Sequence, residues 1–422
     1  MLDAASVDQG SRGHRLLRTA IDGLLPGLAG DAWFTLRYPD GSQTQAGNPA
    51  GRPLALHITS WSAASRIRLN PGLAFGEAYM DGTIVPLGCT IYDILDMLLT
   101  ARMNGNLGRV AAFRESLTRV SKRINQFNPT RLSRRNVERH YEFGLDFYRQ
   151  ILDKDLQYSC AYFRRGDETL DEAQRAKKAH IAAKLLLTRP GLRVLDIGCG
   201  WGGMAMTLAR DYGAEVTGIT LSGQQLEIAR ARAAEAGLAD RVKFELLDYR
   251  AIPFSFDRIV SIGMFEHVGI NHYNRFFDII RNSLEPDGVA LIHSIGRSFG
   301  PNATNPWIRK HIFPGGYSPA LSEVLPAVER SGLIATDIEM LRLHYARTLA
   351  CWRENLMRRR GEILARHDER FLRMFEFYLS GSEVGFRRSG YMVWQMQLAR
   401  QHAAVPLARD YLEHFPSHLA RK

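Results

Sequence analysis

Cysteine is scarce in this chain. The four thiols in 422 residues, Cys89, Cys160, Cys199 and Cys351, lie far apart and form no C-x-x-C pair. A disulfide framework and a structural zinc are therefore excluded from the reading, and no metal is expected. Long apolar runs are also missing, so no membrane-spanning helix is expected. Residues 1–30 carry Asp3, Asp8 and Asp22 without the charged start, apolar centre and small-residue cleavage site of a secretory signal. The expected address is cytoplasmic. Internal repeats and low-complexity tracts are absent too, which leaves ordinary globular domains, and the length points to two of them.

Lysine is the minority cation, eight of 55 basic residues, and the net charge is +11. Arginine's planar fork pairs well with phosphate, which makes nucleic acid and anionic membrane the two partner classes to separate. Arg102 to Arg139 concentrates ten basic residues against Glu115 and Glu138. Within it Val110, Phe113, Leu117, Val120, Ile124 and Phe127 follow each other in steps of three and four, one apolar stripe of a basic amphipathic helix. Such a helix suits an anionic membrane surface, and equally a core with solvated arginines around it.

Residues 1–128 read as a smaller mixed α+β domain associated with lipid or membrane. Strands are predicted at Phe34–Tyr38 and Leu54–Ile58, and helices at Ser60–Leu69 and Thr90–Arg102. Residues 129–422 read as the catalytic domain, where strands and helices alternate. The strands are Arg193–Asp196, Glu215–Ile219, Val242–Leu246, Arg258–Ile262 and Val289–Ser294; the helices are Gly202–Tyr212 and Ser222–Ala236. This alternation implies an α/β fold with a largely parallel sheet covered by helices on both faces, and ligands at the carboxyl ends of the strands.

Val194 to Gly203, VLDIGCGWGG, is the most informative segment. An apolar strand runs into Asp196, and Gly198, Gly200 and Gly202 then let a ligand approach the backbone at the start of a helix. The spacing is not G-x-G-x-x-G, and an acidic residue on the strand end can accept hydrogen bonds from a cationic amino-acid group. Both features suit S-adenosylmethionine and a Rossmann-like methyltransferase fold. Thr220, Asp248, Glu266 and His293 fall at or near corresponding strand ends.

HYEFGLDFY (140–148), YSCAYF (158–163), VLDIGCGWGG, GITLSGQQ (218–225), DYR (248–250), GMFEHVG (263–269), HSIG (293–296), HYARTL (344–349) and GFRRSG (385–390) together resemble the cyclopropane fatty acid synthase family, including its mycolic acid relatives. The resemblance implies an S-adenosylmethionine-dependent enzyme that methylates a cis double bond in an acyl chain of a membrane phospholipid, then removes a proton to close a cyclopropane. It implies bicarbonate as the base, held by Cys160, Glu266, His293, the Ile295 backbone and Tyr345. The cofactor is expected among Tyr158, Ser159, Asp196, Gly198, Gly200, Thr220, Leu221, Gln225, Asp248, Tyr249 and Arg250. Apolar and aromatic walls suit a cationic intermediate, and Tyr162, Phe163, Phe265 and Trp307 are candidates for them.

Two positions depart from the pattern: Leu145, where relatives commonly carry Asn, and Ser382-Glu383, where they often carry Cys and a small residue. Glu383 either points away from the site or supplies the base itself, and the product is then a ring or a methyl- or methylene-branched chain. A nucleic-acid methyltransferase is disfavoured because GMFEH stands where N-P-P-Y-type motifs grip an extruded base. A lipid-binding protein without catalysis is disfavoured by the complete ligand set. The expected setting is peripheral, at the inner face of the membrane, with a homodimer left open.

Overall fold

The structure, a computed structural model, describes residues 4–104, 143–253 and 255–413. The basic amphipathic helix expected between Arg102 and Arg139 falls almost wholly outside these residues. Two compact units form, one drawn from Met1–Thr118, Thr304–Ile312 and Trp352–Ser389, the other from Arg119–Ala303, Phe313–Cys351 and Gly390–Lys422.

The first unit is built on strands β1 (Trp33–Arg37), β2 (Gln43–Gly47), β3 (Pro53–Ile58) and β4 (Ile84–Pro86), in the order β2-β1-β3-β4. β1 pairs antiparallel with β2 and parallel with β3, and β3 pairs antiparallel with β4. Phe34, Leu36, Leu54, Leu56 and Ile58 alternate along β1 and β3 and point into one core. Ile91, Ile94 and Leu95 of the helix Ile91–Met103 close that core, and so does Val384 of the helix Glu369–Arg388. The expected division into 1–128 and 129–422 is therefore corrected: a late helix belongs to the early unit because its apolar face completes that core.

The second unit holds β5 (Arg193–Ile197), β6 (Glu215–Thr220), β7 (Val242–Leu246), β8 (Phe256–Ile262), β9 (Leu284–Arg297), β10 (Ile334–Leu341) and β11 (Tyr391–Ala399), in the order β10-β11-β9-β8-β5-β6-β7. From β7 to β9 the neighbours are parallel, and β11 runs antiparallel to both β9 and β10. Successive residues face opposite cores. Val194, Val260 and Leu291 join Ala205, Leu208 and Leu226 on one face; Leu195, Ile259 and Ile292 join Phe276, Ile280 and Val324 on the other. A sheet covered on both sides reads in sequence as continuous apolar strands, as these do. The sequence reading did not anticipate β10 and β11.

Candidate active site

The glycine loop leaves β5 in a conformation that only glycine accepts readily. Gly198, Gly200 and Gly202 have φ of 80°, 55° and 83°, in the left-handed region. A Cβ on Gly202 would lie 2.6 Å from Phe244 Cζ, whereas one on Gly200 would meet nothing within 4 Å. Gly202 serves packing, and Gly200 keeps space open. A side-chain clamp fixes the loop from outside: Arg232 donates to the Trp201 carbonyl at 2.6 Å and to Asp155 Oδ1 at 2.5 Å, and Lys178 donates to Asp155 Oδ2 at 2.5 Å.

Beside the loop lies a cavity of about 120 Å³. Tyr158, Gly198, Gly200, Thr220, Leu221, Gln225, Tyr249 and Arg250 line it, as expected, together with Met264 and His267. Three expected cofactor residues are not in its lining. Ser159 accepts a hydrogen bond from Lys177 at 2.9 Å, and Asp248 is paired with Arg250 at 2.7 Å. Asp196 is buried with Oδ2 lacking a hydrogen-bond partner among the described residues. The Thr220 hydroxyl donates to Gln225 Oε1 at 2.8 Å, which leaves Gln225 Nε2 as a buried donor likewise unpartnered. An acceptor at Asp196 and a donor at Gln225, flanked by a glycine backbone, fit an amino-acid-bearing nucleoside such as S-adenosylmethionine. Burial raises Asp196 to about 7 and lowers His267 to about 4, so His267 is neutral.

Of the second group of expected residues, Glu266, His293 and Ile295 fall together on and beside β9. Glu266 follows β8 in the short turn Phe265–His267, and its Oε1 accepts from the Ile295 amide of β9 at 2.6 Å. Ile295 therefore orients Glu266. Glu266 Oε2 is buried without a hydrogen-bond partner among the described residues, and burial raises the carboxyl to about 7. His293 of β9 is buried beside Gln395 of β11, with Nδ1 3.1 Å from the amide nitrogen.

Cys160 lies in the segment Tyr158–Phe163, which is tied down on two sides. Gln174 donates to the Ser159 carbonyl at 2.9 Å, and the Tyr162 amide donates to the Ala173 carbonyl at 3.1 Å. Opposite, Thr348 Oγ1 and His344 Nδ1 accept from the Ala161 and Phe163 amides, each at 3.0 Å. His344 and Thr348 belong to the helix His344–Arg358 that carries Tyr345, so the backbones of Cys160 and Tyr345 are fastened to each other. The Cys160 thiol is pushed up by burial and stays protonated.

Glu383 belongs to the first unit, where Oε2 accepts from Arg353 at 3.0 Å and Oε1 from Arg387 at 3.1 Å. With a guanidinium on each oxygen it is an ion-pair partner. Of the aromatic candidates, Tyr162 stacks between His180 and His344, Phe265 packs on Tyr273 in the core, and Trp307 packs on Phe377 in the first unit. Leu145 opens the helix Leu145–Ile151.

Sequence reasoning missed Lys177 and Gln395. Both are fully buried, and the charge of Lys177 acts on Asp196, Cys160 and His293 alike. A signal existed: Gln174, Lys177 and Lys184 fall on one helical stripe, a pattern ordinarily read as a solvated face.

Residues 129–396 match the model of the mycolic acid cyclopropane synthetase family. The chain belongs to that family. It is similar to the cyclopropane-fatty-acyl-phospholipid synthase of Escherichia coli K12, 34% identical over 88% of this chain and 94% of that one. It is also similar to the tuberculostearic acid methyltransferase UfaA1 of Mycobacterium tuberculosis, 34% identical over 87% of each chain. A solved structure of the mycolic acid cyclopropane synthase CmaA1, complexed with SAH and CTAB, superposes with a TM-score of 0.59 at 34% identity, covering 64% of this chain and 99% of that one. Family, fold and cofactor pocket agree. The protein is an S-adenosylmethionine-dependent methyltransferase of the cyclopropane synthase type.

Proposed function

We propose that the enzyme cyclopropanates cis double bonds in the unsaturated acyl chains of membrane phospholipids. The observation that carries this reading is Glu266, a buried carboxyl with one oxygen unpartnered and the other held by the Ile295 amide, two residues along β9 from neutral His293. An alkene is a weak nucleophile, and the cation left after methylation is captured by any strong one. A site for this reaction needs weak, well-held polar groups, and a protonated thiol, a neutral imidazole and a carboxyl only partly ionised near neutral pH meet that need.

S-adenosylmethionine supplies the methyl group when bound, and bicarbonate is the weak base that Cys160, Glu266, His293 and Tyr345 would hold. Asp196 and Gln225 orient the cofactor, and the glycine loop keeps water and side chains out of its path. Similarity over most of both chains to a phospholipid-acting synthase supports the substrate class. With this substrate goes the reading of a cytoplasmic enzyme at the inner face of an anionic membrane, to which the net charge of +11 lends weight over a nucleic-acid partner.

A second reading shares the methyl transfer and loses a different proton, leaving a methyl- or methylene-branched chain; similarity to a tuberculostearic acid methyltransferase favours it. One experiment tests both. Purified enzyme is incubated with S-adenosylmethionine and liposomes of monounsaturated phospholipid, and the acyl chains are analysed by mass spectrometry and proton NMR. Ring protons support cyclopropanation, a branch supports the second reading, and unchanged chains refute both.

A further inference from the structure

Gln395 and His293 are directly opposed residues of β11 and β9, antiparallel neighbours near the middle of the sheet. Both side chains are buried, and Gln395 Nε2 lies 3.1 Å from His293 Nδ1. An amide nitrogen only donates, so in this arrangement Nδ1 accepts and the single proton of the neutral ring sits on Nε2. The amide is itself held in place by its strand. Trp394 and Met396, its neighbours, point into the opposite core, and Gln397, two residues on and on the same face, is fixed by donating to the Lys184 carbonyl at 2.6 Å and accepting from Thr336 at 2.8 Å.

We propose that Gln395 is a positioning residue that fixes His293 as its Nε2–H tautomer, so that His293 enters the reaction as a hydrogen-bond donor to an anionic base and not as the base. The inference rests on the proposal that His293 belongs to the reacting site. It divides the labour there. His293 offers a proton it does not release, Glu266 offers the carboxyl that can exchange one, and Gln395 touches neither substrate nor cofactor. A carboxylate in place of the amide would draw the ring proton to Nδ1 and turn Nε2 into an acceptor, which repels an anion.

The test is direct observation of the tautomer. The full-length protein, labelled with nitrogen-15 at histidine, is examined by two-bond proton–nitrogen correlation spectra, with His293 assigned by its absence in His293→Gln. The natural protein is expected to show a protonated Nε2 and a bare Nδ1 at neutral pH. In Gln395→Glu the pattern should invert, with turnover falling roughly 10²-fold and cofactor affinity unchanged; Gln395→Leu should show both tautomers. A natural protein with the proton on Nδ1 overturns the proposal whether or not any Gln395 variant folds. So does an Nε2–H signal that stays put in both variants. If His293→Gln retains full turnover, the assignment of His293 to the reacting site fails, even with the tautomer as expected.

Discussion

The ammonium of Lys177 donates to the hydroxyl of Ser159 at 2.9 Å and to Gln157 Oε1 at 2.8 Å, inside the protein and beside the segment that carries Cys160. Burial lowers this lysine to about 8, and its charge opposes the burial that raises Asp196 to about 7. An acid raised in this way keeps in the folded state a proton that the unfolded chain loses near pH ~4. Its contribution to stability is therefore complete below that pH and is lost as pH rises through about 7. Binding a cationic cofactor runs the other way, because it uses the ionised form.

Affinity for S-adenosylmethionine is thus expected to rise with pH and level off above about 7, with a proton released on binding below that point. Calorimetry in buffers of different ionisation enthalpy measures the proton. Asp196→Asn should bind weakly with a flat profile, and Lys177→Met should move the midpoint to higher pH. A midpoint that stays in place in Lys177→Met would show that this cation does not tune the carboxyl.

Glu266→Gln preserves the shape and the hydrogen bond from Ile295 but cannot take up a proton. Turnover is expected to fall by about 10²- to 10⁴-fold, with the dissociation constant for cofactor unaltered. Equal losses in both would move Glu266 into cofactor binding.

Gly202 and Gly200 should fail differently. Gly202→Ala combines a φ of 83° with a 2.6 Å approach to Phe244, and is expected to cost about 2–4 kcal/mol in denaturant unfolding. Gly200→Val places its side chain where the cavity is open, so cofactor binding should vanish while the fold survives with a smaller loss, on the order of 1–2 kcal/mol. Matching melting curves and matching affinities for the two variants would contradict this division.

Glu383→Ala removes a carboxylate that two arginines share. Because the Arg387 side chain is 37% exposed, the expected loss is on the order of 2 kcal/mol, below that of a fully buried pair. Turnover of the folded fraction should keep the bicarbonate dependence of the natural protein in carbon-dioxide-free buffer. If bicarbonate dependence appears only in the variant, Glu383 is the base after all.

Much of this site was legible in the sequence because its constraints are local. A glycine that needs positive φ, an acid ending a strand and a run such as VLDIGCGWGG show their purpose within ten residues. Gln395 and Lys177 show none locally. Their roles depend on which strand lies opposite and which helix covers the sheet, contacts separated by 102 residues for Gln395 and His293 and by 18 for Lys177 and Ser159. Glu383 stayed ambiguous for a related reason: one of its two guanidinium partners, Arg353, is thirty residues away. The strand β11 was obscured by two glutamines in an otherwise apolar stretch, Gln395 and Gln397, which are fully buried.

The helix Glu369–Arg388 also bears on the order in which the polypeptide leaves the ribosome. The sheet β2-β1-β3-β4 emerges early, but Val384 and Phe377, which finish its core, follow some three hundred residues later. Throughout synthesis the early strands expose an apolar surface, and β11 of the second unit follows the same helix, so neither unit can close until the end of the chain has emerged. Shortening the chain ahead of that helix would strand both units half made, the first without the apolar face that completes its core and the second without β11.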